Sequence, residues 1–490
     1  MGSLKKQEPL MSRSRYLLKN MSLFTVSNMA SKLLVFLLVP LYTNVLSESD
    51  YGIADVMQTT LLLLVPLLSL NAGEAALRYG IEYSGKRGSI LRSGLRHVLR
   101  SALLTAAVCL AMALAMSASG TGAEYRGHIL IFALLFACNA IYEFMLLYAQ
   151  GSEQVEIMIT GSICCTVITI ISNILFLLVF KMGLYGYLFS QIAAFCISFV
   201  IMYRLLHGET LLKEDEDRGL RTEMTRYGRG MLLYSTASWA NNAIDRYFIL
   251  FMFGSVQNGL YGVAYKIPAI LTVFQRIFAQ SFQMSATKEY REEDSGRFFG
   301  ELFELYNAVM LTGCTGILLV LRPLAAFMFR KGFYEAWIMV PPLLISVIFG
   351  ALEGYLGSIC LAHKDGRSMG IATGVGAVVN IILNAAAISA FGAVGAAFAT
   401  LISYFTMFAI AYALTVRHVR LEVDIKRDIA GYILVLIAGG VTMYGVKSDT
   451  AEYTACAVCA LILLVLLFLY RAQAAYAVRR VKALAGRAGS

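Results

Sequence analysis

Charged residues are scarce in this 490-residue chain: Asp, Glu, Lys and Arg together make up 15% of it, whereas hydrophobic residues make up 58%. Soluble domains carry about 25% charged residues. The shortage therefore excludes an ordinary cytosolic enzyme, a secreted domain and a disordered chain. The stretch 368–416 contains no charged residue at all, which no soluble domain requires.

Histidine is also rare, and the five histidines form no cluster in the sequence. The nine cysteines fall inside predicted membrane spans, which indicates unpaired packing residues rather than a disulfide framework. Cys456 and Cys459 have the spacing of a redox or metal motif, but no further ligand lies near them. Asp215 and Asp217 form an Asp-x-Asp pair in a loop too short for a glycosyltransferase domain. The sequence therefore predicts no metal site, no cofactor and no catalytic nucleophile.

The chain contains many long apolar runs. Because a bilayer core of about 30 Å takes about 20 helical residues to cross, the runs predict an all-α polytopic membrane protein with about 14 transmembrane helices. The predicted spans are 20–45, 52–77, 97–118, 127–148, 155–180, 184–206, 228–253, 259–287, 301–322, 337–362, 368–391, 393–416, 429–446 and 453–471. The motif Phe391-Gly392-Ala393-Val394-Gly395 predicts a tight turn between two of them.

Positive charge is distributed unevenly between the loops. The chain has 41 Lys and Arg and a net charge of +10, and most of these residues fall in alternate loops and at both ends. The positive-inside rule then places both termini in the cytoplasm. Contact with the cytoplasmic leaflet explains the basic excess, so no nucleic-acid partner is expected.

The chain carries signs of an internal duplication. A shift of 210 positions aligns 51–54 (Tyr-Gly-Ile-Ala) with 261–264 (Tyr-Gly-Val-Ala), and a shift of 209 aligns Gly183 with Gly392. Ordered matches at a nearly constant offset indicate two pseudo-symmetric six-helix lobes, which suggest alternating access. The predicted domains are an N-lobe at 1–206, a cytoplasmic linker at 207–227, a C-lobe at 228–416 and an appended helix pair with a basic tail at 417–490.

Polar residues recur at spacings of three and four in several predicted spans, where each forms a stripe on one helical face. A charge at the bilayer centre costs about 2.5 to 3.5 kcal/mol on insertion scales, so we expect these stripes to face protein or water. Bonding between neighbouring helices is the alternative role for the uncharged members. The candidates are the cations Lys32, Arg246, Lys266 and Arg276 and the amides Asn28, Asn241, Asn242, Gln280 and Gln283.

Acidic residues inside the spans match the cations in number, so the sequence does not establish a positively charged cavity. Asp55, Asp245, Glu143 and Glu353 are candidates for ion coupling or for structural pairing. Asp245 is adjacent to Arg246 and is the nearest group able to neutralise it.

The segments 242–246 (Asn-Ala-Ile-Asp-Arg) and 259–266 (Gly-Leu-Tyr-Gly-Val-Ala-Tyr-Lys) resemble the polysaccharide-transporter branch of the MOP flippase superfamily. The segments 49–52 and 392–400 agree with this resemblance. It implies a two-lobe fold similar to that of multidrug and toxic-compound (MATE) exporters. It also implies that the chain moves an undecaprenyl-diphosphate-linked oligosaccharide from the inner to the outer leaflet of a bacterial plasma membrane, for surface polysaccharide synthesis.

For this cargo we expect Arg276 and Lys32 to hold the diphosphate, Arg246 and Lys266 to lie along the outward path, and the five amides to meet sugar hydroxyls. Membrane lipid, a polysaccharide polymerase and glycosyltransferases of the same pathway are the expected partners. The alternatives are a MATE-like cation-coupled drug exporter, a lipid II or teichuronic-acid flippase and, less favoured, a membrane polysaccharide polymerase. The first predicted span contains Lys32 and no arginine, so the cavity arginines of the lipid II flippase cannot be assigned to residues of this chain. This departure favours an oligosaccharide over a peptidoglycan precursor.

Overall fold

The computed structural model describes residues 36–83, 85–120, 122, 125–207, 210, 217–289, 295–363, 365–444 and 449–473, which form helices and contain no strand. The helices are α1 Val39–Val45, α2 Glu48–Leu68, α3 Ala72–Glu82, α4 Arg87–Ser119, α5 Arg126–Gly151, α6 Val155–Asn173, α7 Gly183–Leu205, α8 Arg218–Ala264, α9 Pro268–Glu289, α10 Ser295–Leu319, α11 Leu321–Met328, α12 Val340–Ala362, α13 Gly366–Thr415, α14 Ile425–Tyr444 and α15 Asp449–Leu469. A π-helical turn, Ile174–Val179, follows α6, and a 3₁₀ helix, Lys331–Met339, precedes α12.

The length and apolarity of these helices fit a membrane protein. Within the described ranges, nine helical segments are long and apolar enough to cross a bilayer. The predicted all-α, multi-pass fold class is therefore confirmed.

The first compact unit comprises the described residues up to Leu46 together with Ala54–Trp239. In this unit α5 packs against α3, α4 and α7, and α6 packs against α7. A Cβ atom on Gly80 would lie 2.7 Å from the carbonyl carbon of Gly151, so α3 and the end of α5 approach each other backbone to backbone.

The second unit comprises Ser47–Ile53 and the described residues from Ala240 onward. Its core helix is α12, which packs against α9, α10 and α13. The helices α14 and α15 pack against α10. Near the start of α14, the Tyr470 hydroxyl donates to Asp428 Oδ1 at 2.8 Å, and Arg427 forms an ion pair with Glu304.

The start of α2 makes a close main-chain contact in the second unit. A Cβ atom on Gly52 would overlap the carbonyl oxygen of Ser255, and one on Gly259 would overlap that of Glu48. The Asn258 side-chain amide donates to the carbonyl oxygen of Gly52 at 3.0 Å. Only glycine at both positions permits this approach.

Two predicted spans are interrupted in the structure. The predicted span 52–77 breaks after α2, where Leu70 and Asn71 have φ values of 55° and 50°. The Asn71 amide group donates to the Gly228 carbonyl at 3.2 Å, and its oxygen accepts from Ser235 Oγ at 3.0 Å. These bonds stabilise a left-handed conformation that asparagine tolerates better than most residues.

The predicted span 259–287 is likewise divided, because residues up to Ala264 continue the previous helix and α9 begins at Pro268. Proline has no backbone N–H to donate and therefore favours a helix start. Gly254, with φ 82°, breaks α8 into two helices, and Gly392, with φ 59°, does the same in α13. The turn predicted at 391–395 is confirmed.

Candidate functional site

The structure distributes the predicted site residues over both units. Asn28 and Lys32 lie outside the described residues. Asn241, Asn242, Asp245 and Arg246 lie on α8, Lys266 lies between α8 and α9, Arg276 lies on α9, Asp55 on α2, Glu143 on α5 and Glu353 on α12. Gln280 and Gln283 belong to α9, but their side chains lie outside the described part of the chain. The Asp245–Arg246 pair and its neighbours form a polar cluster within the second unit.

Asp245 is buried, with 4% of its surface exposed, and two tyrosines satisfy its carboxylate. The hydroxyls of Tyr261 and Tyr265 both donate to Asp245 Oδ2, the latter at 3.2 Å. The Tyr261 hydroxyl also lies 3.4 Å from Thr400 Oγ1 on α13. Burying a polar group without hydrogen-bond partners is costly, and the two tyrosine hydroxyls supply partners to this carboxylate.

Arg246 is held by the same group of residues. Its Nη1 lies 3.5 Å from Asp245 Oδ1 and donates to the Asn242 carbonyl at 3.2 Å. The guanidinium carbon lies 4.7 Å from the ring centre of Tyr265 and 5.9 Å from that of Tyr261. Asp245 and Arg246 therefore form an ion pair in the structure.

The amides beside this pair contact α13. The Tyr404 hydroxyl donates to Asn242 Oδ1 at 3.0 Å, while the Asn241 amide group lies 3.5 Å from the sulfur of Met407. Asn242 is exposed at this position.

Glu353 is the buried acid of α12, with 9% of its surface exposed. Its Oε1 atom has no hydrogen-bond partner among the described residues. An ionised carboxylate without a partner is costly to bury, so this position suits a group that binds a proton or a cation.

Arg276 is exposed on α9, one turn after the half-exposed Thr272, and Lys266 is half-exposed before that helix. The described residues of the second unit leave Arg276 exposed. Since a lipid-facing arginine is costly, we expect this face of α9 to border water or another polar surface. Arg276 is more accessible than Arg246, which is half-buried.

Two of the predicted acids belong to the first unit. Glu143 lies on α5 with its side chain exposed, and Asp55 lies on α2 and is half-buried.

The end of the predicted linker is anchored to the first unit. Lys86 Nζ lies 2.6 Å from Asp217 Oδ2, and the backbone amides of Gly219 and Leu220 donate to Asp217 Oδ1. The Lys86 hydrogen bond and the Leu220 amide hold the pKa of Asp217 below its usual value. Asp217 thus caps α8. The described residues contain no cluster of His, Cys, Asp and Glu able to hold a metal ion.

Sequence reasoning missed the hydroxyl groups of Tyr261, Tyr265 and Thr400 as site residues. The first two are four residues apart and so lie on one helical face, a signal that was present in the sequence. Thr400 offered no such signal, because 139 residues separate it from Tyr261.

Several solved structures have a fold similar to that of this protein. The structure is similar to the lipid II flippase MurJ in an inward-closed conformation, with a TM-score of 0.67 and 14% identity over 92% of this chain and 99% of that chain. It is also similar to an inward-facing multidrug-resistance MATE transporter of the MOP superfamily, with a TM-score of 0.63 and 12% identity over 84% and 95% of the two chains.

A third similar structure is a MOP superfamily transporter from Pyrococcus furiosus, whose binding pocket is described as having reversed polarity. The TM-score is 0.51, with 13% identity over 86% of this chain and 93% of that chain. At these identities the likeness establishes a shared fold. No curated protein matches the chain in sequence.

The family model described as "Polysaccharide biosynthesis protein" matches residues 17–287, more than half of the chain. This segment includes the Asp245–Arg246 pair and both tyrosines that bind Asp245. The chain therefore belongs to the polysaccharide biosynthesis protein family and has the fold of MOP superfamily transporters.

Proposed function

We propose that this protein is a flippase that moves an undecaprenyl-diphosphate-linked oligosaccharide from the inner to the outer leaflet of the bacterial plasma membrane, with both termini in the cytoplasm. The observation that carries the proposal is the arginine–carboxylate–tyrosine cluster on α8, a polar arrangement inside an apolar helical protein of the polysaccharide family. Duplicated lobes, an N-lobe at 1–206 and a C-lobe at 228–416, would provide alternating access.

The cargo explains why a polar route is needed. Each sugar hydroxyl moved through hydrocarbon without a partner costs a few kcal/mol, so a short glycan faces a barrier of tens of kcal/mol. A polar path removes this barrier while the polyprenyl chain stays in lipid. Asn28, Asn241, Asn242, Gln280 and Gln283 are the residues that we assign to sugar hydroxyls.

The hydrogen bonds from Tyr261 and Tyr265 to Asp245 would allow Arg246 to exchange Asp245 for another anion. If the guanidinium turns towards a substrate phosphate, Asp245 still accepts hydrogen bonds from Tyr261 and Tyr265. The carboxylate is therefore not left unsatisfied, which lowers the cost of breaking the ion pair. Arg246 then binds the diphosphate together with Lys32, Lys266 and Arg276, because guanidinium and ammonium groups form strong charge-assisted bonds to phosphate oxygens.

The membrane potential supplies a direction for transport. A diphosphate diester carries about two negative charges, and an inside-negative potential of about 100 mV favours moving each charge outward by about 2.3 kcal/mol. Transport of the diphosphate towards the outer leaflet therefore needs no second energy source.

A cation-coupled exporter similar to MATE transporters is the second candidate function. The observation that favours it is the buried Glu353, whose Oε1 atom lacks a partner within the described residues. In such an exporter Glu353, with Asp245, would bind the coupling or transported cation.

Reconstitution into proteoliposomes tests the proposal. A polyprenyl-diphosphate oligosaccharide is placed in the membrane, and a membrane-impermeant glycosidase measures the fraction that crosses. We expect Arg246→Ala and Arg276→Ala each to slow crossing at least about tenfold, since each removes charge-assisted bonds to phosphate. Arg297→Ala is the matched control, because Arg297 is an exposed residue paired with Glu301 on the surface of α10.

Unchanged crossing in both variants would contradict the diphosphate role. High-affinity binding of a cationic dye that is lost in Glu353→Gln or Asp245→Asn, without any crossing of the lipid-linked glycan, would instead support the exporter.

A further inference from the structure

Two thiols lie in contact inside the first unit. Cys138 stands near the middle of α5 and Cys196 near the middle of α7, and their sulfur atoms are 3.1 Å apart. A disulfide bond requires about 2.05 Å, so a movement of about 1 Å, within reach of a side-chain rotation, would bring the sulfurs to bonding distance.

The neighbouring side chains keep the two helices together at this point. The rings of Tyr142, one turn after Cys138, and Phe195, next to Cys196, stack at 5.2 Å with an angle of 29° between their planes. Both aromatic residues are buried. The contact between the thiols is therefore part of a packed helix interface rather than of a loop.

The two cysteines differ in accessibility. Cys138 is buried, whereas Cys196 is exposed on the surface of the helix bundle. A small neutral oxidant can therefore reach Cys196, while the Cys138 sulfur lies in contact with it. An accessible thiol backed by a second thiol is the arrangement of a redox-sensitive cysteine pair.

We propose that Cys138 and Cys196 form a reversible disulfide when the membrane is exposed to a peroxide. The Cys196 thiol reacts with hydrogen peroxide to give a sulfenic acid and one water. The Cys138 thiol then attacks that sulfur, forms the S–S bond and releases a second water. Two thiols are oxidised and one peroxide is reduced to two waters, so atoms and electrons balance.

The bond would join α5 to α7 covalently. It connects residues 58 positions apart, so it also restricts the unfolded chain. Oxidation should therefore stabilise the first unit and limit any rearrangement of these two helices. This inference is independent of the transported substrate.

Mass spectrometry of the full-length protein in membranes tests the proposal. The sample is treated with hydrogen peroxide, free thiols are blocked with N-ethylmaleimide, and the digest is analysed without reductant. We expect one cross-linked peptide pair containing Cys138 and Cys196, which dithiothreitol separates. The thermal unfolding midpoint should rise by at least about 3 °C on oxidation and return on reduction.

Variants provide the controls. Cys196→Ser, a change at an exposed position, should abolish both the cross-link and the rise in midpoint. Cys164→Ser, which alters a half-buried cysteine on α6, should retain both. Recovery of both peptides in alkylated form after peroxide treatment would overturn the proposal, as would an equal rise in the unfolding midpoint of Cys196→Ser on oxidation.

Discussion

Among single residues, we expect Asp245 to control how readily Arg246 can bind an anion. Its carboxylate lies 3.5 Å from the guanidinium, so a phosphate oxygen of the proposed substrate would have to compete with it for Arg246. Under the proposed function, Asp245 is an internal competitor for the lipid diphosphate. The same competition would help to release the substrate after transport.

Replacing Asp245 with asparagine should separate binding from release. Without the competing charge, Asp245→Asn should bind a short-chain polyprenyl diphosphate about tenfold more tightly and transport the lipid-linked glycan more slowly. Isothermal titration on the purified protein measures the first effect, and the proteoliposome assay measures the second.

Asp428→Asn is the matched control, since Asp428 is another buried aspartate that accepts a tyrosine hydroxyl in the second unit. Equal affinities in Asp245→Asn and the unaltered protein would contradict internal competition. If neither binds any polyprenyl diphosphate, the proposed substrate itself is wrong.

The sequence made part of this site predictable. Adjacent residues of opposite charge in one span predicted the pairing of Asp245 with Arg246, because their proximity is fixed by the chain. The exposure of Arg276 and the burial of Glu353 could not be predicted, since each depends on which helices pack against that face. The roles of the predicted cations, amides and acids in transport stay predictions.

At the level of helices, glycines determine where long apolar segments turn. Gly392 divides α13 with φ 59°, and Gly183, its partner in the proposed repeat, has φ 56° at the start of α7. A Cβ atom on Gly395 would overlap the carbonyl oxygen of Ala387, so the two halves of α13 approach closely after the turn. Both glycines of the proposed repeat therefore have a positive φ.

Alanine at these glycines should destabilise the protein for two different reasons. Gly392→Ala forces a side chain onto a residue with φ 59° and ψ −145°, a conformation nearly limited to glycine, at about 1–3 kcal/mol, and Gly395→Ala places a methyl group against a carbonyl oxygen. Thermal unfolding should occur at a lower temperature in both variants. Gly370→Ala is the control, because a Cβ atom there meets open space; an equal loss in all three variants would rule out the turn as the cause.

The helices themselves were largely predictable, whereas their interruptions were only partly so. Apolar length and charged breaks predicted the extents of α7 and α12 to within a few residues, since burial in lipid requires uniform apolarity. Gly392 predicted its turn. The break at Asn71 was missed because its stabilising bonds come from Gly228 and Ser235, which lie far away in the sequence.

For the whole molecule, the distribution of basic residues predicts the orientation in the membrane. A cysteine introduced at Gly85, between α3 and α4, should react with a membrane-impermeant maleimide only after the cells are permeabilised. A cysteine in place of Ser119, exposed at the end of α4, should react in intact cells. The opposite labelling pattern would reverse the predicted topology, and the unaltered protein measures the background from native cysteines.

The glycine contact between the start of α2 and residues 255–259 sets a limit on how this region can respond to its surroundings. Its partners are main-chain atoms of Glu48, Gly52, Ser255 and Gly259 together with the neutral Asn258 amide, and none of these groups gains or loses a proton. Changes in ionic strength or pH should therefore have little effect on the stability of this contact. A larger residue at either glycine would force the two backbones apart. We therefore expect steric fit rather than charge to determine the stability of this contact.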